Sequence, residues 1–377
     1  MVLLILFVVY TVVKTVSEGT PTVVKESFSE IDQNRCGDAG DRIDQLLTSD
    51  HPSLRKLSEI ENKCGSYATN QLMIFVTMPK DTQVAKKLAS NLATQLKEFH
   101  THGLKPIVIV EPSSEEWGLI DFSEFVSGFF NSWIEDFFIE LKAEGITDEV
   151  MGTWVPFPEA NLPYWNHQNS TPSEFAKAIN NYAGILKKYY PKTDVSILLN
   201  SATYATDDYN WEEGEYTSLV QYVEGINKEY ISSFGIQGFP WMPGASTPGK
   251  GILEPAEFLA LPLAKEAADV LGTKNIWINT GTFVTKYAQT PEDKVIVPAE
   301  IRKDILNKIV DEAVRLQKSG YNVTINIFAE DKSLTPEETD WSYWASEATG
   351  NTAHQVAFIQ FLRDLYKNGI QTSFYLK

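Results

Sequence analysis

The sequence predicts an α/β fold, a (β/α)8 barrel behind an N-terminal apolar leader and a short helical extension, and three observations predict it. Short, β-branched apolar runs alternate with long amphipathic stretches along most of the chain. Glycines stand where long stretches end and the next apolar run begins. The length of 377 residues exceeds one small domain and suits a barrel with insertions.

The elements follow in order. Val2 to Val13 is almost wholly apolar and is followed by Lys14. A run of this length reads as a signal-peptide core or an uncleaved anchor, and a buried first strand is the competing reading. The division is thus residues 1–16 as signal peptide or membrane anchor, 17–70 as tether and N-terminal helical segment, and 71–377 as the barrel. Cys36 and Cys64 are the only cysteines and flank a helix-like stretch, 41–60. In an oxidising compartment they would form a disulfide; two independent thiols are the alternative.

Strands are predicted at 72–77, 106–110, 152–156, 195–199, 235–239, 276–279, 323–328 and 372–376. Helices are predicted at 83–102, 122–144, 172–190, 216–234, 255–271, 298–319 and 354–368. Thr171-Pro172-Ser173-Glu174 carries a cap, a first-turn proline and an acidic first turn. Gly103, Gly145, Gly272, Gly320 and Gly369 are stop signals. Repeated strand–helix units imply parallel strands joined by right-handed crossovers, and eight strands favour closure.

Composition narrows the function. A formal charge of −18 repels phosphate backbones, so nucleic acid is not an expected partner. The five histidines form no HxH on a strand and no HExxH, which argues against a metal-dependent hydrolase, and no cofactor is expected. Residues 244–251 have the Gly and Lys spacing of a phosphate loop, but Gly251 stands where Ser or Thr belongs.

In a barrel the chemistry collects where strands end. Carboxylates recur there: Glu111, Glu159, Glu330 and Asp331. Tryptophans recur as well, at or near the same face: Trp154, Trp165, Trp211, Trp241, Trp277, Trp341 and Trp344. Ring faces stack on sugar C–H faces, and carboxylates act as acid and base on glycosidic bonds. For any one tryptophan, core packing is the commoner role; convergence on one face is what points to sugars.

Trp154-Val155-Pro156-Phe157-Pro158-Glu159-Ala160-Asn161-Leu162-Pro163-Tyr164-Trp165 resembles the fourth-strand segment of clan A glycoside hydrolases, nearest to the mannanase-like family 26. Phe234 to Trp241 is similar to that family's sixth strand and its aromatic. The resemblance implies that Glu159 is the proton donor, with Phe157 and neighbouring tryptophans raising its pKa. It implies Asn161, Trp165 and Trp241 as sugar-holding residues; the placement at strand ends, not the resemblance, offers Glu330 or Asp331 as nucleophile or base and Glu111 and Trp344 as further contacts. The chain departs from the family at Pro158, where the family has His. It departs again at 276–282, where three strands on from Glu159 no carboxylate stands. Glu159 follows the third strand if 72–77 is the first, or the fourth if an N-terminal segment supplies one. In either count Glu330 lies four strands on. The expected function is hydrolysis of a β-linked polysaccharide or oligosaccharide; the alternative is a carbohydrate-binding pseudoenzyme. The expected location is extracytoplasmic, with a membrane tether if the leader persists.

Overall fold

The computed structural model describes residues 35–38, 40, 42–78, 82–114, 118–119, 121–162, 171–201, 219–240, 254–282, 296–330 and 352–376. Eight strands close into a parallel barrel: β1 (Gln71–Thr77), β2 (Lys105–Glu111), β3 (Thr153–Pro156), β4 (Asp194–Asn200), β5 (Ser233–Gln237), β6 (Asn275–Thr280), β7 (Asn322–Ala329) and β8 (Gln371–Leu376). Pairing runs in sequence order, and β1 meets β8 at Leu72 and Phe374. The fold is therefore a (β/α)8 barrel.

The barrel has two apolar layers. Residues pointing outward, such as Leu72, Val108, Trp154 and Ile197, pack against the surrounding helices in one large core. Residues pointing inward form a separate plug of Met73, Ile107, Ile109, Val155, Leu198 and Trp277, with Tyr375 packed against it. Alternation along each strand dictates this division. Trp154 is fully buried among Phe137 and Phe138 and donates its indole N–H to the Met151 carbonyl at 3.1 Å. It and Trp277 are core residues, not platforms at the sugar-facing rim.

The helices follow the sequence with local corrections. The stretch 122–144 divides into Phe122–Val126 and Asn131–Ala143, because Gly128 adopts φ 79° between them. The stretch 255–271 divides into Pro255–Phe258 and Leu261–Leu271 across left-handed Ala260. The helix expected over 216–234 is, among the described residues, only Val220–Val223 and a 3-10 turn at Lys228–Tyr230; Gly225, at φ 90°, separates them. Strand β5 also starts two residues earlier than expected, which moves its end back to Gln237. The capping box at Thr171 and Glu174 is formed in full.

Ahead of β1, Ile43–Leu47 and Pro52–Cys64 form two helices, divided where Pro52 opens the second. Cys36 and Cys64 are joined in a disulfide with Cα atoms 5.4 Å apart. Arg42 forms a buried ion pair with Glu61 at 2.6 Å, and its guanidinium also bonds the carbonyls of Thr69 and His102. Burial raises the Glu61 pKa, opposed by Arg42. These contacts dock the extension onto the barrel. The apolar leader lies outside the described residues. Among the described residues no helix is long and apolar enough to cross a membrane.

Candidate functional site

The mouth at the C-terminal ends of the strands has two differently built halves. The first begins with an irregular turn after β3. Phe157 and Glu159 adopt left-handed backbone conformations, at φ 56° and 54°. For residues with a Cβ such conformations cost about 1–3 kcal/mol each and persist only where surrounding contacts fix them. The contacts are present. The Phe157 N–H donates to the Val110 carbonyl at 2.8 Å, and the Glu159 N–H donates to the Leu198 carbonyl at 2.8 Å. The Phe157 ring turns outward onto Phe122, Phe125 and Tyr182. That ring therefore serves the core beneath the helices rather than an apolar wall around the Glu159 carboxyl.

The Glu159 side chain is 7% exposed. Its Oε1 accepts a hydrogen bond from Asn200 Nδ2 at 2.7 Å, and another from Gln237 Nε2. Gln237 Oε1 in turn accepts from Asn279 Nδ2. A relay of amides thus crosses the ends of β4, β5 and β6 and terminates on one carboxyl. Asn161 braces it from below. Its Nδ2 donates to the Asn200 carbonyl at 2.8 Å, and its Oδ1 accepts the Asn200 N–H at 2.9 Å.

The strand count bears on the resemblance. Gln71–Thr77 is the first strand, so Glu159 follows the third and Glu330 the seventh. The resemblance puts the proton donor at the end of the fourth strand, which here ends in Asn200 and Ser201. Ser201 is committed elsewhere: its Oγ donates to the Phe258 carbonyl at 2.6 Å and its N–H to the Gln237 carbonyl at 2.7 Å. The backbone of Glu159 is thus one strand early. Its carboxyl is carried sideways over β4 and β5, into the sector where the resemblance expects a carboxyl.

The other half of the mouth is aromatic. Phe75 points inward from β1, two residues beyond the plug residue Met73, and is 37% exposed. Its ring meets Tyr375 edge-on with centroids 4.7 Å apart. Tyr375 stacks on Phe328 at 5.0 Å, and Phe328 meets Phe239 at 5.8 Å. Burial pushes the Tyr375 pKa upward, and the charges of Glu330 and Glu111 push it further the same way. Glu111, at the end of β2, and Glu330, just past β7, thus stand near enough to this phenol for their charges to act on it.

Asp331, Trp165, Trp241 and Trp344 lie outside the described residues. Gln237, Asn279, Phe75, Phe328 and Tyr375 were not singled out by the sequence. Their signal was present as polar or aromatic residues at inward positions near the ends of apolar strands. Among the described residues no group of three or more His, Cys, Asp or Glu could hold a metal ion.

The structure is similar to solved structures of a β-glucosidase from Thermotoga maritima. The complex of that enzyme with castanospermine aligns with a TM-score of 0.51 and 12% identity, over 87% of this chain and 86% of that one. The complex with cyclophellitol aligns with a TM-score of 0.51 and 12% identity, over 82% and 85%. At this identity the likeness establishes the barrel fold. No protein-family model matches the chain, and no curated protein matches it in sequence.

Proposed function

We propose that the chain is a glycoside hydrolase-like protein of clan A type that acts on a β-linked polysaccharide or oligosaccharide at the barrel mouth. The observation that carries this reading is the Glu159 carboxyl, fixed at the mouth by Asn200 and Gln237 over the ends of β4 and β5. Hydrolysis needs two carboxyls flanking one bond, about 5 Å apart for retention and about 6.5–9.5 Å for inversion. Glu159 acts as proton donor, and Glu330, with Asp331 beside it in sequence, as nucleophile or base. The amide relay orients Glu159, and Asn161 acts through Asn200 as a positioning residue. The ring faces of Phe75, Phe239 and Phe328 offer apolar surface to sugar C–H groups, joined by Trp165, Trp241 and Trp344, with Glu111 accepting from hydroxyls. The fold likeness to an enzyme solved with castanospermine and cyclophellitol supports a carbohydrate ligand.

A binding pseudoenzyme is the second reading. It is favoured by the low exposure of Glu159 and by a fourth strand that ends in Asn200 and Ser201 without a carboxylate. The disulfide and the apolar leader support an extracytoplasmic location, tethered if the leader persists.

The test is hydrolysis of a panel of β-linked polysaccharides and oligosaccharides. Cleavage by the natural chain that falls about a thousandfold in Glu159→Gln supports the enzyme reading. Retained polysaccharide binding without cleavage selects the pseudoenzyme, and neither binding nor cleavage rejects both.

A further inference from the structure

The opposite end of the barrel carries a second feature. Beneath the apolar plug, a cavity of about 360 Å³ opens among the N-terminal ends of the strands. Its inner wall holds Trp277 with Thr153, Ser233 and Thr324, all buried. Asn275, Asn322 and Gln371 stand exposed at its rim. This end of such barrels is ordinarily a stability face, and barrel interiors are filled mostly by branched apolar side chains. Hydroxyls line this end instead.

We propose that this cavity is a second ligand site, distinct from the mouth, and that it takes a neutral monosaccharide. Three observations select that chemistry. The charged rim residues cancel: Lys105 and Asp194 pair with each other at 2.8 Å, so the site has no net preference for an ion. The remaining polar groups are amides and hydroxyls, which donate and accept together, as a ring of sugar hydroxyls requires. Trp277 adds an aromatic wall, whose ring suits sugar C–H groups.

The rim is partly organised. Asn322 Nδ2 donates to Asn275 Oδ1 at 2.9 Å, and Asn275 Nδ2 donates to the Ser232 carbonyl at 2.9 Å. This pair fixes two amides at the entrance, so a ligand meets groups already in place.

The experiment is calorimetric titration of the full chain with glucose, mannose, galactose and xylose. The natural chain and Glu159→Gln are expected to bind at least one of them alike. The double variant Asn275→Ala with Asn322→Ala is expected to bind it about tenfold more weakly, the loss of one or two hydrogen bonds. Asn322→Trp, an exposed position, closes the entrance and is expected to abolish that binding if the double variant fails to fold. Both rim variants are expected to hydrolyse polysaccharide as the natural chain does, so failure here is separable from failure at the mouth. Binding of none of the four sugars, or binding undiminished by both rim variants, overturns the proposal.

Discussion

The two halves of the barrel mouth hold their chemistry in opposite ways. From β3 to β6 the end residues are amides and one carboxyl, joined by directed hydrogen bonds and anchored by two residues in left-handed conformations. From β7 through β8 to β1, and across to Phe239 after β5, the contacts are ring on ring, with Glu330 and Glu111 at the margin. A directed network fixes one atom in one place, which acid–base chemistry needs. A ring cluster offers area without fixing a point, which suits sugar faces of varied substitution. On the proposed reading, the mouth thus separates a reacting side around Glu159 from a holding side, with Glu330 at the margin between them.

The largest effect is expected on the reacting side. Gln237→Leu removes a donor to Glu159 and strands the Asn279 amide. It should lower hydrolysis about a hundredfold and cost about 1–3 kcal/mol of stability, read by kinetics and by denaturant unfolding. If activity falls while stability holds, the relay serves geometry rather than folding. On the holding side Phe75→Ala should weaken oligosaccharide affinity about tenfold with kcat nearly unchanged, because a partly exposed ring contributes area and not chemistry. An equal fall in kcat would erase the distinction between the halves.

A smaller effect lies outside both halves. His354 is buried near Arg302, and burial first and Arg302 second lower its pKa from 6.5 to about 4. Between those values the unfolded chain takes up a proton that the folded chain refuses. Stability should therefore fall as pH drops from 6.5 towards 4, by about 2 kcal/mol after allowing for partial solvation. His354→Gln should flatten that slope in thermal melts and leave sugar affinity at neutral pH unchanged.

What the sequence revealed follows the range of the forces involved. Helix stops at Gly103, Gly145, Gly272, Gly320 and Gly369 are local events, and all five adopt positive φ. Strand periods are local too, and all eight were found, with β5 displaced. That displacement placed Gln237 in mid-strand and hid its role at the strand's end. Glu159 was visible because it follows a strand within the segment 154–165 that resembles clan A glycoside hydrolases. Its connection to Asn200 and Gln237 was not visible, since it depends on backbone turns at Phe157 and Glu159 that bulky residues adopt only under tertiary constraint. Trp154 misled because which face of a strand a residue takes depends on register, and one position moves a ring from barrel interior to outer core; Trp277 points inward but lies near the start of β6, away from the mouth.

On the proposed reading, Glu159 and Glu330 act as one catalytic unit at the mouth. The most direct test is kcat/KM on the best β-linked substrate for the natural chain, Glu159→Gln, Glu330→Gln and the double variant. Residues that act as a unit are strongly non-additive, so each single variant should lose about a thousandfold or more and the double should lose little beyond that. Single variants that retain the natural rate, or losses that simply multiply, would contradict it.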